Sequence, residues 1–163
     1  MKKKINLIGI GTDGNKSLTQ EAREQIRKST VLIGAERMLE SVEPVRKKEA
    51  RCYTSYRPEE IMTTLEQEKG EEISVLYSGD PGFYSGAKQL IKRLEGSGWE
   101  IRVLPGISSV ICMAARCQVP WEKAALVSLH GTGQNAVYEI CTHEHTFLLL
   151  GGKETAEQFL EKM

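Results

Sequence analysis

The sequence predicts an α/β protein in which a parallel sheet is covered by helices. Short apolar runs alternate with segments of helical periodicity, and the links between them are brief. Three of the strands run directly into loops rich in Gly, Pro and Ser. Parallel strands of this kind are joined by right-handed crossovers.

Residues 4–10 read as a first buried strand that ends at glycines. Leu18-Thr19-Gln20-Glu21-Ala22 starts a helix, with Thr19 as N-cap ahead of Glu21 and with Ala22 and Ile26 repeating on one face. Val31-Leu32-Ile33-Gly34 is a second short strand, followed by a helix over residues 35–39 and a minor strand over 51–54. Residues 58–68 form a helix with Pro58 in its first turn. A strand over 73–77 leads to a helix over 82–94, and a strand over 99–104 leads to a helix over 107–116. The pattern changes at Cys117-Gln118-Val119-Pro120-Trp121. Beyond it come a strand (124–129), a helix (134–141), a strand (146–150) and a helix (154–163). The expected organisation is an N-terminal α/β domain over residues 1–116, a linker over 117–123 and a partial second α/β domain over 124–163.

The chain has 163 residues, enough for one ordinary domain or two small ones. At that length about 70% of the unfolded surface can be buried, so no disulfide staples are required. The 22 basic and 22 acidic side chains cancel, which argues against a protein that wraps nucleic acid. The cancellation hides an asymmetry: residues 1–57 hold 13 basic and 7 acidic side chains, a net of +6, and the remainder carries −6. Met1-Lys2-Lys3-Lys4 imitates the start of a signal peptide, but the apolar run behind it is short and holds Asn6 and two glycines. No run approaches the roughly 20 apolar residues of a membrane span. Cys52, Cys112, Cys117 and Cys141 make no CxxC pair and read as reduced, mostly buried small apolar residues. The cytoplasm is the expected compartment.

Ligands of parallel sheets bind beyond the carboxyl ends of the strands, where three loops lie. The first, Gly9-Ile10-Gly11-Thr12-Asp13-Gly14, satisfies G-x-G-x-x-G, and Glu36 follows at a distance suited to a dinucleotide-binding oxidoreductase. That fingerprint needs its helix to begin inside the motif, whereas Asn15, Lys16, Ser17 and Leu18 intervene here, and Asp13 would set a negative charge near a phosphate. A backbone approach to an uncharged ligand, or a tight turn needing positive φ, fits as well. The second loop is Ser78-Gly79-Asp80-Pro81-Gly82-Phe83-Tyr84-Ser85-Gly86. Its glycines admit close backbone contact, Asp80 can accept hydrogen bonds, and Phe83 and Tyr84 offer faces to a flat heterocycle; an Asp-Pro turn that caps the next helix is the plainer alternative. The third, Pro105-Gly106-Ile107-Ser108-Ser109, brings two hydroxyls and free amides to a helix start, for a ligand or for simple capping. His130-Gly131, just after a strand, could line a cleft. His143-Glu144-His145 is most simply a surface loop, since further metal ligands are missing from its vicinity.

Together the loops resemble the tetrapyrrole methylase family, the S-adenosylmethionine-dependent methyltransferases of cobalamin and siroheme synthesis. The family pattern has a glycine loop after the first strand, a Gly-Asp-Pro loop after a middle strand, and a Pro-Gly-(Ile/Val)-(Ser/Thr)-(Ser/Ala) turn after the next. Here these are Gly9-Ile10-Gly11, Gly79-Asp80-Pro81 and Pro105-Gly106-Ile107-Ser108-Ser109, in order. Leu18-Thr19-Gln20-Glu21-Ala22, Leu32-Ile33-Gly34-Ala35-Glu36-Arg37 and Ser128-Leu129-His130-Gly131 are similar to the branch that methylates ring carbon 5 of a corrinoid precursor. The first loop departs from the family's frequent Gly-x-Gly-Pro-Gly by carrying Thr12-Asp13.

The resemblance implies a parallel-sheet N-terminal domain of tetrapyrrole methylase type joined to a mixed α/β C-terminal domain, incomplete here because family chains continue further. It implies S-adenosyl-L-methionine as cofactor, held by Gly79, Asp80, Pro81 and Phe83, with Ser108 and Ser109 at its other side. Gly9 and Gly11 would form the floor where cofactor and macrocycle meet, and His130 and Gly131 would lie where the second domain approaches. The substrate would be cobalt-precorrin-7 or its metal-free equivalent, a polycarboxylate, for which Arg37 and then Lys16 are the candidate cations. No metal site is expected. A homodimer and a carbon-15 methylating decarboxylase partner are implied as well. The readings left beside this one are another branch of the family, a nicotinamide-dinucleotide oxidoreductase, and a truncated, non-catalytic cofactor-binding remnant.

Overall fold

The computed structural model describes residues 3–68, 72–129, 136–150 and 156–161. Its contacts divide the chain into two compact units, Met1–Ser109 and Val110–Met163. The division falls earlier than the 117–123 segment expected from the sequence, so the helix after the third loop groups with the later residues.

The first unit contains β1 (Lys4–Gly9), α1 (Gln20–Lys28), β2 (Val31–Gly34), α2 (Glu36–Ser41), β3 (Arg51–Thr54), α3 (Pro58–Gln67), β4 (Glu72–Tyr77), α4 (Ala87–Leu94) and β5 (Glu100–Leu104). The strands form one parallel sheet in the order β3-β2-β4-β1-β5. β1, β2 and β4 lie inside the sheet, and their mainly apolar runs, broken by Asn6 and Ser74, are what burial on both faces demands. β3 lies at one edge and is largely exposed, which explains its polar sequence.

Alternation along the strands divides the core in two. Ile5, Leu7, Ile33 and Val75 pack with Ile61 and Leu65 of α3 and with Leu90 and Leu94 of α4. Ile8, Leu32 and Leu76 pack on the other face with Ala22 and Ile26 of α1 and Leu39 of α2. Each such fully buried side chain contributes roughly 1.5–3 kcal/mol. One polar seam crosses the second face: Ser74 and Ser29 hydroxyls meet at 2.6 Å, and Ser29 donates to the Gln25 carbonyl at 2.8 Å. Helices α1 and α2 carry the chain outward from β1 to β3, while α3 and α4 carry it back across the sheet. Crossovers of one hand therefore place the two pairs on opposite faces.

Local signals account for the helix starts. Thr19 accepts the Ala22 amide at 3.1 Å as N-cap of α1, and Pro58 occupies the first turn of α3. The largest departure from an expected start is at α4. The helix read from residue 82 begins at Ala87, because Asp80, Pro81 and Ser85 spend their polar groups on a separate turn over residues 80–86.

The second unit holds α5 (Ser109–Cys117), β6 (Ala125–Ser128), α6 (Ala136–Thr142), β7 (Thr146–Leu149) and α7 (Ala156–Leu160). Strands β6 and β7 pair in parallel, and Ala125, Val127 and Ala136 form its small core with Leu148 and Phe159. Gln118, at φ +57°, ends α5, and its amide bonds back to the Ala115 carbonyl at 3.2 Å. The cysteines correct the sequence reading: Cys52, Cys117 and Cys141 are exposed and Cys112 is half-buried, since they fall on the edge strand and on outward helix positions. Among the described residues no helix is long and apolar enough to cross a membrane.

Candidate functional site

The connections that leave β1 and β4 run in opposite directions across the sheet, so these neighbouring strands form its topological switch point. The loops beyond their carboxyl ends meet there. Gly11 and Gly79 pair in an antiparallel bridge, Gly11 N–H to Gly79 O at 3.1 Å and Gly79 N–H to Gly11 O at 2.9 Å. Ile10 N–H extends this pairing to the Tyr77 carbonyl at 2.9 Å.

Asp80 ties in the third loop. Its Oδ1 accepts the Gly82 amide at 2.7 Å and its Oδ2 accepts the Gly106 amide at 3.0 Å. The charge of this carboxylate is thereby directed at two backbone donors from different loops. Glycine is required where the loops cross. A Cβ on Gly9 would lie 2.6 Å from Gly79 O and 2.7 Å from both Gly106 N and the Pro81 ring, and one on Gly106 would lie 2.2 Å from Gly79 O. Gly79 itself takes φ +65°. Ser108 is buried beneath the third loop, and Ser109 is exposed at the first turn of α5.

The first loop is closed by its own residues. Ser17 Oγ accepts the Asp13 amide at 2.8 Å and donates to the Ile10 carbonyl at 3.2 Å, and Gly14–Lys16 form a single 3-10 turn. Helix α1 starts only at Gln20, capped by Thr19. No helix N-terminus meets the glycine motif, so the geometry of a pyrophosphate cradle is missing and the dinucleotide reading loses its basis.

Two cavities adjoin these loops in the first unit. The smaller, about 230 Å³, is bounded by Gly11, Thr12, Asp13, Arg37, Ser41 and Ser78, which brings Arg37 to the glycine loop. The larger, about 300 Å³, lies over the ends of β2 and β4, among Met38, Tyr56, Tyr77, Phe83 and Tyr84. Phe83 and Tyr84 meet edge to face with centroids 4.9 Å apart. Met38 and Ser78 border both cavities.

Lys16 is exposed on the 3-10 turn and borders neither cavity. His130 and Gly131 lie outside the described residues. His143 stands 3.3 Å from Glu139 on the surface, and among the described residues no cluster of His, Cys, Asp and Glu could hold a metal. The residues missed by sequence reasoning are Met38, Tyr56 and Tyr77. Tyr77 reads as one more core position of an apolar strand, and only its place as the last residue before the Gly-Asp-Pro loop could have drawn attention.

The sequence profile of the tetrapyrrole (corrin/porphyrin) methylases matches residues 4–163. The chain belongs to that family. It is 34% identical over 127 residues to the precorrin-6Y C(5,15)-methyltransferase [decarboxylating] of Sinorhizobium sp, covering 78% of this chain and 30% of that protein. It is 27% identical over 161 residues to the probable cobalt-precorrin-7 C(5)-methyltransferase of Methanocaldococcus jannaschii, covering 96% and 75%. Among solved structures, the precorrin-6Y methylase of Archaeoglobus fulgidus superposes with a TM-score of 0.73 at 26% identity, over 95% of this chain and 77% of that one. A cobalt precorrin-4 methyltransferase at 20% identity shares the fold, with a TM-score of 0.70. The parallel α/β architecture is thus that of the tetrapyrrole methylases. Within this member of the family, Asp80 and the glycines hold together the loops that follow β1, β4 and β5.

Proposed function

We propose that this chain binds S-adenosylmethionine and takes part in methylating ring carbon 5 of a corrinoid precursor, cobalt-precorrin-7 or its metal-free equivalent. The observation that carries the reading is the junction of Gly9, Gly79 and Gly106 through Asp80, at the switch point of a tetrapyrrole methylase sheet. Two relatives named for carbon-5 methylation support the choice of branch. The cofactor supplies an electrophilic methyl group on a sulfonium.

The work left to the protein is alignment and exclusion of water. Alignment alone can be worth on the order of 7–11 kcal/mol. In this reading Asp80 is a positioning residue: it holds the Gly79–Pro81 turn against Gly106, with Gly9 and Gly11 as the floor. Phe83 offers an aromatic face, and Ser108 and Ser109 close the far side. Arg37 receives a carboxylate of the macrocycle, with Lys16 as a second, outer cation. The cofactor-binding part given to His130 and Gly131 belongs to the same proposal. So do a homodimer, a cytoplasmic location and a carbon-15 methylating decarboxylase as partner. The Sinorhizobium relative's name joins carbon-5 and carbon-15 methylation, in keeping with such a partner.

A second reading keeps the chemistry and changes the corrinoid, since the chain is also 31% identical to the cobalt-factor III methyltransferase of Priestia megaterium over 74% of its length. Transfer of labelled methyl from S-adenosylmethionine to cobalt-precorrin-7, against cobalt-factor III, decides between them. Calorimetry with S-adenosylhomocysteine and NAD tests the cofactor. Binding of NAD without S-adenosylhomocysteine would sink the proposal.

A further inference from the structure

Beside the larger cavity lies a buried polar atom with nothing to bond. Tyr77 is 8% exposed, and its Oη is shut from solvent without a hydrogen-bond partner among the described residues. Native structures leave few such groups, and each calls for a reason. Two of the serine hydroxyls that line the cavity are committed elsewhere. Ser55 donates to Glu60 at 2.8 Å, and Ser85 donates to the Pro81 carbonyl at 2.6 Å while accepting the Ala87 amide at 3.1 Å. Burial also raises the Tyr77 pKa, so the phenol stays a neutral donor throughout the physiological range.

One wall of this cavity holds a residue in an unusual backbone conformation. Residues 83–86 form one wall, with Gly86 lying over the Tyr77 ring: a Cβ there would be 3.9 Å from Tyr77 Cε1. Within that wall Tyr84 takes φ +43°, a left-handed conformation that side-chain-bearing residues seldom adopt. Such strain gathers at ligand clamps. Apart from Ser55, Ser78 and Ser85 the lining is apolar or aromatic, with Met38, Ile61, Val75 and Phe83, and among the described residues no Lys, Arg, Asp or Glu borders the space. An anionic group is therefore unsuited to it, whereas Arg37 stands in the adjoining cavity across Met38 and Ser78. At about 300 Å³ the space is at the lower limit of small-molecule pockets, too small for a whole macrocycle.

We propose that this cavity takes one uncharged, ring-sized edge of the corrinoid, that the wall formed by residues 83–86 gives way to admit it, and that Tyr77 Oη donates a hydrogen bond to an acceptor on that edge. An anionic arm of the same ligand then falls to Arg37. The inference rests on the proposed corrinoid substrate and names which part of it this pocket selects.

Two probes separate the roles: cobyrinic acid, whose side chains are carboxylates, and cobinamide, whose side chains are amides. Their affinities are measured by fluorescence quenching for the wild type, Tyr77→Phe and Arg37→Gln, beside S-adenosylhomocysteine as control. Tyr77→Phe is expected to weaken both corrinoids about three- to tenfold and to leave S-adenosylhomocysteine unchanged. Arg37→Gln is expected to weaken cobyrinic acid alone. Because the hydroxyl lacks a partner in the free protein, Tyr77→Phe should also raise the melting temperature by about 2–4 °C, which a purely structural hydroxyl would not do. Unchanged corrinoid affinity in Tyr77→Phe, or a lowered melting temperature, overturns the inference and leaves the methylase reading standing. A wild type that binds S-adenosylhomocysteine and neither corrinoid removes the substrate class and this inference together.

Discussion

Asp80 accepts the Gly106 amide 26 positions further along the chain, Oδ2 to N at 3.0 Å, while its other oxygen holds the Gly82 amide at 2.7 Å. One carboxylate thus fixes the loop after β4 to the loop after β5. Asp80→Asn keeps the shape and one acceptor, but turns an NH₂ toward a backbone N–H. The expected cost is about 1–3 kcal/mol in urea unfolding, with S-adenosylhomocysteine affinity reduced at least tenfold by calorimetry. Unchanged stability would refute the clamp.

Gly9→Ala should destabilise by about 1–3 kcal/mol, because its Cβ meets backbone of two other loops below 3 Å. Gly98→Ala is the control: its φ is +80°, and nothing lies within 4 Å of the added Cβ. The control should lose only the left-handed penalty of roughly 1–2 kcal/mol and keep full S-adenosylhomocysteine binding. Gly9→Ala should lose that binding. Equal affinities in the two variants would separate the glycine junction from the cofactor.

Thr19→Ala removes the N-cap of α1 and is expected to cost about 1 kcal/mol in denaturant unfolding. Helix α1 begins away from the glycine loop, so ligand affinities should stay within error. A large loss of affinity would mean that the helix start does serve the site.

Alkaline pH should destabilise the chain. Tyr53 has a raised pKa, first through its hydrogen bond with Glu68, and Tyr77 has one raised by burial. Folding therefore favours the protonated phenols. Their contribution is complete below the ordinary tyrosine pKa of about 10 and is lost as pH rises above it toward the folded-state values. Urea midpoints should be level from pH 7 to 9 and fall beyond 10. Tyr77→Phe should make that fall shallower, and an unaltered slope would contradict the burial of its hydroxyl.

Arg37→Ala should weaken binding of the carboxylate corrinoid about tenfold or more while S-adenosylhomocysteine binds as before, since Arg37 borders the smaller cavity beside Gly11 and Ser78. Loss of both ligands to the same degree would remove its assignment to the macrocycle.

Much of this was legible in the chain. The strand runs at β1, β2 and β4 declare themselves because burial on both faces requires mainly apolar sequence. Thr19 and Pro58 mark helix starts through chemistry confined to one turn. The three loops stand out by their Gly, Pro and Ser content, and Arg37 follows from its place after β2. The start of α4 was misread because Gly82–Gly86 lies between an Asp-Pro turn and an apolar repeat, and only the bonds of Asp80 and Ser85 show that the turn uses up that segment. The cysteines were misjudged because a small apolar residue fits a core or an outward helix position equally well.

By itself the sequence determined the order of elements, the positions of the loops and the family pattern they spell, all of which depend on residues close in the chain. The tertiary structure decided that β4 inserts between β2 and β1, which brings Gly79 against Gly11 and Asp80 against Gly106. It also decided that the last side chain of β4 ends in a hydroxyl without a partner among the described residues, beside an uncharged cavity. Strand order follows from how four helices cover two faces of one sheet, a property of the whole fold. The uneven charge gains meaning the same way: the +6 of residues 1–57 includes Arg37, and the fold sets it beside the glycine loop.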